Sequence, residues 1–214
     1  MSRKNKKIRT KEKQLKMKNR QLAKKYPWIA PRDWMTGRIS KNYDYSYIYW
    51  ELPIGWHKAF GKMYLEELAQ AVKDAHAEKD FLIEEVKEKY GMLRVYVNNY
   101  SKPIDRVIDK YEYISQNVCI GCGKPDVPMI TNGWISPYCF DCYKKYFHNK
   151  TESDAREEYN KYVRKNGDMI PNTYKVIHFS KDGTRSETID ISDTVRKIRE
   201  RWEKRVKKCK KLKQ

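Results

Sequence analysis

Two C-x-x-C pairs place four of the chain's five cysteines within residues 119–142, in the stretch CIGCGKPDVPMITNGWISPYCFDC. Cysteines two residues apart can turn both sulfur atoms toward one point, and two such pairs supply the four thiolates that tetrahedral zinc prefers. The spacing therefore predicts that Cys119, Cys122, Cys139 and Cys142 bind one zinc ion. Because four protein ligands fill the coordination sphere, we expect the ion to be structural rather than catalytic.

Two other chemistries also use paired cysteines, namely a redox-active C-x-x-C pair and a framework of two disulfides. Redox pairs usually occur singly near a βαβ pattern, which this sequence does not show. The segment between the pairs contains Asn132-Gly133, flanked by strand-forming residues, which is a strong signal for a β-hairpin. We call the two C-x-x-C turns the first knuckle (residues 119–122) and the second knuckle (residues 139–142). A hairpin between two such knuckles favours a zinc ribbon over both alternatives.

The pattern of apolar side chains before the ribbon predicts a helix, a hairpin and a second helix. A helix is predicted from Trp56 to about Lys79, and residues 103–116 show a second apolar face. Between them, Leu93, Val95 and Val97 alternate with polar or aromatic neighbours, and a turn is expected near Gly91. These elements predict an α+β core at residues 57–147 that includes the ribbon at 119–142.

The remaining segments are assigned by composition and turn signals. Residues 26–56 are rich in Trp and Tyr without sustained periodicity, and we expect them to cover the core with buried rings. A base-stacking platform for single strands is the alternative for this segment. Residues 148–192 are predicted to form an accessory module, in which Thr151 caps a helix that ends at Asn166-Gly167 and a hairpin turns at Asp182-Gly183.

The net charge of +19 is concentrated at the two ends of the chain. Residues 1–25 contain 12 Lys or Arg and one Glu, and residues 193–214 contain 11 Lys or Arg and three acidic residues. The residues between these two basic arms are neutral overall. Cationic arms can neutralise phosphates without reading a base sequence. The candidate nucleic-acid contacts are Arg3, Lys4, Lys6, Lys7, Arg9, Lys11, Lys13, Arg201, Lys204, Lys207, Lys208 and Lys211.

The two arms differ in their apolar content. The N-terminal arm has too few apolar residues to bury a face, and we expect it to be disordered or partly helical when alone, with little contribution to the core. The C-terminal arm repeats Val195, Ile198, Trp202, Val206 and Cys209 at steps of three and four, which predicts an amphipathic helix packed on the body. Cys209 is expected to be a small apolar packing residue of that stripe.

Composition also limits the class of protein. No apolar run approaches the roughly 18 residues of a membrane span, and the first 25 residues lack the apolar region of a signal peptide. Thiolate-bound zinc suits a reducing compartment. We therefore expect a soluble protein of the cytoplasm that does not contact membranes.

An enzyme would need a nucleophile, a general base or an open metal site. The four histidines, His57, His76, His148 and His178, are scattered and form no adjacent pair. The acidic and basic residues of the first hairpin, Glu84, Glu85, Lys87, Glu88 and Lys89, are typical of a solvated strand face. Since no Walker or dinucleotide-binding glycine pattern occurs either, we expect the protein not to be an enzyme.

Four segments together resemble a known family. The order of LPIGWHKAFG, VKEKYGMLRVYV, CIGCGKP and GWISPYC is similar to that of an uncharacterised family of zinc-ribbon proteins from bacteria and their phages. The resemblance covers roughly residues 27–145. It implies that the four ribbon cysteines bind metal, and it implies no activity.

Two functions remain open at this point. The first is binding of nucleic acid, with RNA or a ribonucleoprotein favoured because arms that fold on binding suit irregular targets. The second is a phage-encoded or phage-related adaptor or inhibitor, whose aromatic body docks on a host protein while the arms contact an acidic surface.

Overall fold

The computed structural model describes residues 3–33, 35–39, 45, 46, 48, 50–147, 151–163, 169–180 and 183–212. For residues 3–11, 147, 178–180 and 183 it describes the backbone alone. The described residues form six helices, one short 3₁₀ turn and three antiparallel two-stranded hairpins, so the predicted α+β class is confirmed. Within these ranges, every helix is too short or too polar to cross a membrane.

The helices and strands alternate along the chain. Helix α1 is Arg3–Lys25, and a 3₁₀ turn, Pro27–Ile29, follows it. Helix α2 has three consecutive parts, an α-helical turn Ile54–Trp56, a π-helical turn His57–Gly61 and an α-helix Lys62–Asp74. The other helices are α3 Lys102–Ser115, α4 Phe140–Phe147, α5 Glu152–Tyr162 and α6 Ser192–Lys211. The hairpins pair β1 Ile83–Lys89 with β2 Met92–Val97, β3 Met129–Asn132 with β4 Trp134–Pro137, and β5 Thr173–Ser180 with β6 Gly183–Asp190.

The main core lies where α3 packs against both α2 and the first hairpin. The rings of Tyr64 on α2 and Tyr111 on α3 are both fully buried and stack with their centroids 4.3 Å apart. The predicted helices and hairpin are confirmed, but α2 ends at Asp74 rather than near Lys79. The chain leaves the helix at His76, whose φ of 52° lies in the left-handed region.

Side chains of α3 complete the hydrogen bonding of strand β2. The backbone N–H of Val95 donates to Glu112 Oε1 at 3.0 Å, and that of Leu93 donates to Ser115 Oγ at 2.9 Å. Burial raises the pKa of the Glu112 carboxyl, although Arg94 forms an ion pair with it. The helix thus satisfies donors on an edge of the sheet that pairs with no third strand in the described part of the chain.

The turn of the first hairpin touches the ribbon. Tyr90 and Gly91 have φ values of 53° and 81°, so both occupy the left-handed region that tight hairpin turns require. A Cβ atom on Gly91 would lie 2.4 Å from Met129 Sδ and 3.2 Å from the Ile135 carbonyl oxygen. Glycine at this turn therefore allows the first hairpin to pack directly on the ribbon hairpin.

Helix α1 contributes to the core, contrary to the expectation for the N-terminal arm. Asn19 and Ala23 are buried, and the Asn19 side-chain amide donates to the Tyr45 carbonyl at 3.0 Å. The expected burial of rings in residues 26–56 holds for Tyr26, Trp28, Trp50 and Trp56. These buried rings cannot stack on bases, whereas Trp34, Tyr43, Tyr47 and Tyr49 lie outside the described residues.

The C-terminal segments share the main core. Tyr174 stacks on Tyr113 of α3 at 5.2 Å, and Val195 and Ile198 of α6 are buried in the same cluster. The apolar stripe of α6 becomes more exposed toward its end, and Cys209 is exposed rather than packed. Thr151 caps α5 as predicted, by accepting a hydrogen bond from the Asp154 N–H at 3.3 Å. Asn166, Gly167 and Asp182 lie outside the described residues.

An ion pair fixes α6 against the loop after the first knuckle. Arg199 donates from Nε and Nη2 to the two carboxylate oxygens of Asp126, both at 2.8 Å. The N–H of Ile170 donates to the same carboxylate at 2.9 Å. Burial alone would raise the pKa of Asp126, but the hydrogen bonds from Arg199 and Ile170 outweigh it and lower that pKa.

Candidate metal centre

The four ribbon cysteines converge as the spacing predicts. The Sγ atoms of Cys119, Cys122, Cys139 and Cys142 all lie within 4.8 Å of one another. Cys119 and Cys139 are buried, and Cys122 and Cys142 are half-buried. None of these four forms a disulfide. The convergence of both pairs on one point also disfavours the interpretation of either pair as an isolated redox dithiol.

The spacing of the sulfur atoms fits a tetrahedral ion. With Zn–S bonds of about 2.3 Å, the edges of a regular sulfur tetrahedron are about 3.8 Å long. The Sγ atoms of Cys122 and Cys139 are 3.6 Å apart, whereas a disulfide would need about 2.0 Å. The four cysteines are thus placed to hold one metal ion, and they leave no position for an activated water.

The first knuckle is held against the beginning of α2. The Gly123 N–H donates to the Cys119 carbonyl at 2.8 Å, and the Gly55 N–H donates to the Ile120 carbonyl at 2.9 Å. The indole N–H of Trp56 donates to the Val118 carbonyl at 2.8 Å. This contact requires glycine, because a Cβ on Gly55 would lie 2.1 Å from the Cys119 carbonyl oxygen.

The second knuckle leads directly into α4. The Tyr143 N–H donates to the Cys139 carbonyl at 2.9 Å, and the Ile120 N–H donates to the Pro137 carbonyl at 2.9 Å, which joins the two knuckles. Tyr143 is buried with Ile130 and with Tyr159 of α5. Helix α5 therefore packs against the ribbon hairpin and the helix that follows it.

Hydrogen bonding among the thiols separates their acidities. Hydrogen bonds with Cys122, Cys139 and Cys142 lower the pKa of the Cys119 thiol. The pKa of the Cys142 thiol is raised, chiefly by its hydrogen bond with Cys119. Because metal binding needs deprotonated ligands, it would release protons and become stronger as pH rises.

The C-terminal helix reaches the metal centre through Arg205. Its Nη2 donates to the Cys122 carbonyl at 2.5 Å, and its guanidinium lies over the Trp202 ring at 5.0 Å. A groove of about 710 Å³ runs between this part of α6 and the first knuckle. Lys58, Arg205, Lys208 and Lys210 line the groove, together with Asp141. Four thiolates around a divalent ion carry a net charge of −2, which these cations would offset.

The structure describes only part of the predicted cationic contacts. Arg3, Lys4, Lys6, Lys7, Arg9 and Lys11 belong to α1, but their side chains lie outside the description. Lys13 is exposed on the same helix. On α6, Lys204, Lys207, Lys208 and Lys211 are exposed, whereas Arg201 is half-buried. Lys13 and the cations of α6 are thus the predicted contacts whose surroundings the structure describes.

Three residues near the metal centre were not identified from the sequence. Lys58 and Arg205 line the groove, and Gly55 allows the first knuckle to approach α2. Arg205 could have been noticed as a neighbour of Trp202 on the apolar side of the helix. A helical glycine at position 55 gives a weaker signal, because its partner is 64 residues away in the sequence.

Two of the four histidines, His57 and His76, and the acidic residues of the first hairpin lie outside the four-cysteine cluster. His57 lies in the π-helical turn of α2, and His76 is exposed at the end of that helix. His148 and the side chain of His178 lie outside the description. Glu85 pairs with Lys87, and Glu88 accepts a hydrogen bond from the Gly91 N–H. These contacts fit the expected solvated face of the hairpin.

Comparisons with protein-family models, curated proteins and solved structures find no match to this chain. The resemblance to zinc-ribbon proteins of bacteria and phages is therefore not supported by a family match and stays a hypothesis. What the structure supports is the four-cysteine cluster itself.

Proposed function

We propose that the protein is a non-catalytic zinc-ribbon protein that binds nucleic acid, with RNA or a ribonucleoprotein as the favoured target. The observation that carries the proposal is the basic end of α6, residues 204–211. This segment holds six Lys or Arg residues and no acidic residue. It lies beside the metal centre, where Lys58 lines the same groove as Arg205 and adds further positive charge.

The basic end differs from the first half of the same helix in its ion pairs. Near the start of α6, Arg196 pairs with Asp193 and Glu200, and Arg199 pairs with Asp126. Those cations are used to fix the helix. The exposed lysines of residues 204–211 form no ion pair within the described part of the chain. Free ammonium groups at a fixed position suit phosphate binding, which is driven by release of counterions.

Zinc fits the donor set better than other common ions. Four thiolates in a tetrahedral arrangement are typical of zinc, with iron as the other common occupant. A closed four-cysteine site contributes to folding rather than to chemistry. In the proposed function, the ion fixes the ribbon that positions the basic end of α6. A bacterial or phage origin agrees with the sequence resemblance and belongs to the same hypothesis.

Binding of a fluorescent single-stranded RNA at several salt concentrations tests the proposal. The double variant Lys207→Glu and Lys211→Glu should weaken binding and flatten the salt dependence, because each lost phosphate contact lowers the logarithmic slope by about 0.7. The matched control is Lys73→Glu with Lys79→Glu, which makes the same change in net charge at exposed positions of the body. Equal effects of the two double variants, or no binding by the unmodified protein near 0.1 M salt, would refute the proposal.

A protein-docking role is the second candidate, and exposed rings favour it. Tyr90 and Trp134 are 68% and 64% exposed, and each is next to the contact between the first hairpin and the ribbon hairpin. Large exposed aromatic residues are enriched where proteins bind partners. If the protein docks on a host protein, replacing both Tyr90 and Trp134 with Ser should abolish capture of that partner. If the protein binds RNA through α6, the same double variant should change RNA affinity less than Lys207→Glu with Lys211→Glu does.

A further inference from the structure

A second candidate site lies far along the chain from the cysteines, between α1 and α2. A cavity of about 590 Å³ separates the second half of α1 from the beginning of α2. This volume is within the range of about 300 to 1,000 Å³ that is usual for small-molecule sites. Its apolar lining comes from both helices and from the segment between them, through Leu15, Leu22, Ile48, Trp50, Leu52 and Leu65. We call it the α1–α2 cavity.

The polar groups of the cavity meet at the π-helical turn of α2. The Nζ atom of Lys18 lies 3.4 Å from Nε2 of His57. Gly61 makes room for the imidazole, because a Cβ there would lie 2.7 Å from His57 Nδ1. Single π-helical turns within α-helices often occur at functional sites. The turn thus places an exposed histidine on the wall of the cavity, beside the exposed ammonium group of another helix.

The charges around the cavity favour an anion at this point. Among the other charged lining residues, Lys62 pairs with Glu66 at 3.6 Å, and Lys25 lies over the ring of Tyr26. Partial desolvation and the nearby Lys18 lower the pKa of His57, and partial desolvation raises the pKa of Glu51. An anion that contacts both Lys18 and His57 would relieve the repulsion that disfavours the imidazolium form.

We propose that the α1–α2 cavity binds a small organic anion with an aromatic or aliphatic body, held by Lys18 and His57 at the charged end and by the apolar walls at the other. This site is independent of the proposed nucleic-acid binding. Because α1 supplies one wall, the basic N-terminal helix has a role in a ligand site as well as in carrying charge.

Two fluorescent probes with similar rings test the proposal on the full-length, metal-loaded protein. Anilinonaphthalene sulfonate carries an anionic group, and phenylnaphthylamine has the same kind of aromatic body without it. Lys18→Glu should weaken binding of the sulfonate at least about tenfold, because a charge-assisted contact contributes that much or more. Binding of the neutral probe should change by less than about twofold, since the apolar walls provide its affinity.

Lys24→Glu is the matched control, because Lys24 is exposed on the same helix and does not line the cavity. It should leave sulfonate binding within about twofold of the unmodified protein, since Lys24 does not line the cavity and water and salt weaken the effect of an exposed charge. His57→Gln provides a second variant that should weaken the sulfonate selectively. Three results would overturn the proposal: neither probe binds, Lys18→Glu and Lys24→Glu have equal effects, or both probes lose affinity together in Lys18→Glu.

Discussion

Gly55→Ala is the substitution that best tests how the body supports the metal centre. The added Cβ would lie 2.1 Å from the Cys119 carbonyl oxygen and 2.5 Å from that of Ile120. Both obstacles are backbone atoms of the first knuckle, so no side-chain rotation can remove the overlap. The knuckle and α2 must separate by about 1 Å, since real Cβ contacts are essentially never shorter than 3.0 Å.

The expected change in the free energy of unfolding of Gly55→Ala follows from two opposing effects. Overpacking of this kind costs about 1 to 3 kcal/mol. Alanine in place of glycine favours a helix by up to about 1 kcal/mol, which offsets part of the strain. We expect the free energy of unfolding of the metal-loaded protein to fall by about 1 to 2 kcal/mol, which corresponds to about a five- to thirtyfold change in an equilibrium constant. Metal affinity should fall by a similar factor, because metal binding and folding are coupled.

Denaturant unfolding and competition with a chromophoric chelator measure these two quantities. Gly61→Ala in the same helix is the control, because its Cβ would meet the side chain of His57 and not the knuckle. That side chain can move, so metal affinity should be unchanged. If Gly55→Ala retains metal as tightly as Gly61→Ala does, the close approach of α2 to the first knuckle does not support the metal centre, and the reasoning is wrong.

Two further predictions concern the anchoring of the terminal helices. Asp126→Asn should lower the free energy of unfolding by about 2 kcal/mol near neutral pH, because it breaks a charge-assisted pair with Arg199. Since the folded-state pKa of Asp126 is lowered, its contribution is complete above the unfolded value of about 3.9 and is lost as pH falls below it. Unfolding curves of the variant and the unmodified protein should therefore converge in acid, and a constant difference would contradict this account. Removal of residues 1–11 should leave the melting temperature nearly unchanged, whereas removal of residues 1–25 should lower it, because Asn19 and Ala23 are buried. Calorimetry of the two truncations checks this, and equal melting temperatures would show that α1 contributes nothing to the core.

The sequence was sufficient to predict those elements whose signals are local. The four cysteines, the Asn132-Gly133 hairpin and the apolar periodicity of α3 each depend on residues close together in the chain, and all are confirmed. The Thr151 cap is of the same kind, since it joins residues three apart.

The features that the sequence did not reveal depend on contacts between distant segments. Counting the apolar residues of α1 suggested that it had no buried face, but a single asparagine and an alanine are enough to dock its second half. The periodicity of the apolar stripe of α6 was identified correctly. Periodicity cannot show, however, that the helix extends past the body before it reaches Cys209, which is therefore exposed. Arg205 and Gly55 belong to the metal centre only because α6 and α2 meet at the first knuckle. The nucleic-acid target and the absence of catalysis stay predictions.

Metal content per chain is the measurement that tests the central claim most directly. Elemental analysis of the purified protein should find one zinc ion per chain, retained in Cys209→Ser and lost in Cys139→Ser. Cys209 is the appropriate control, because it is exposed and lies outside the four-sulfur cluster, although it lines the adjacent groove. Cys139→Ser should also unfold the ribbon, since the ion holds both knuckles. Absence of bound metal, or one zinc ion retained in Cys139→Ser, would contradict the assignment of a metal centre to these cysteines.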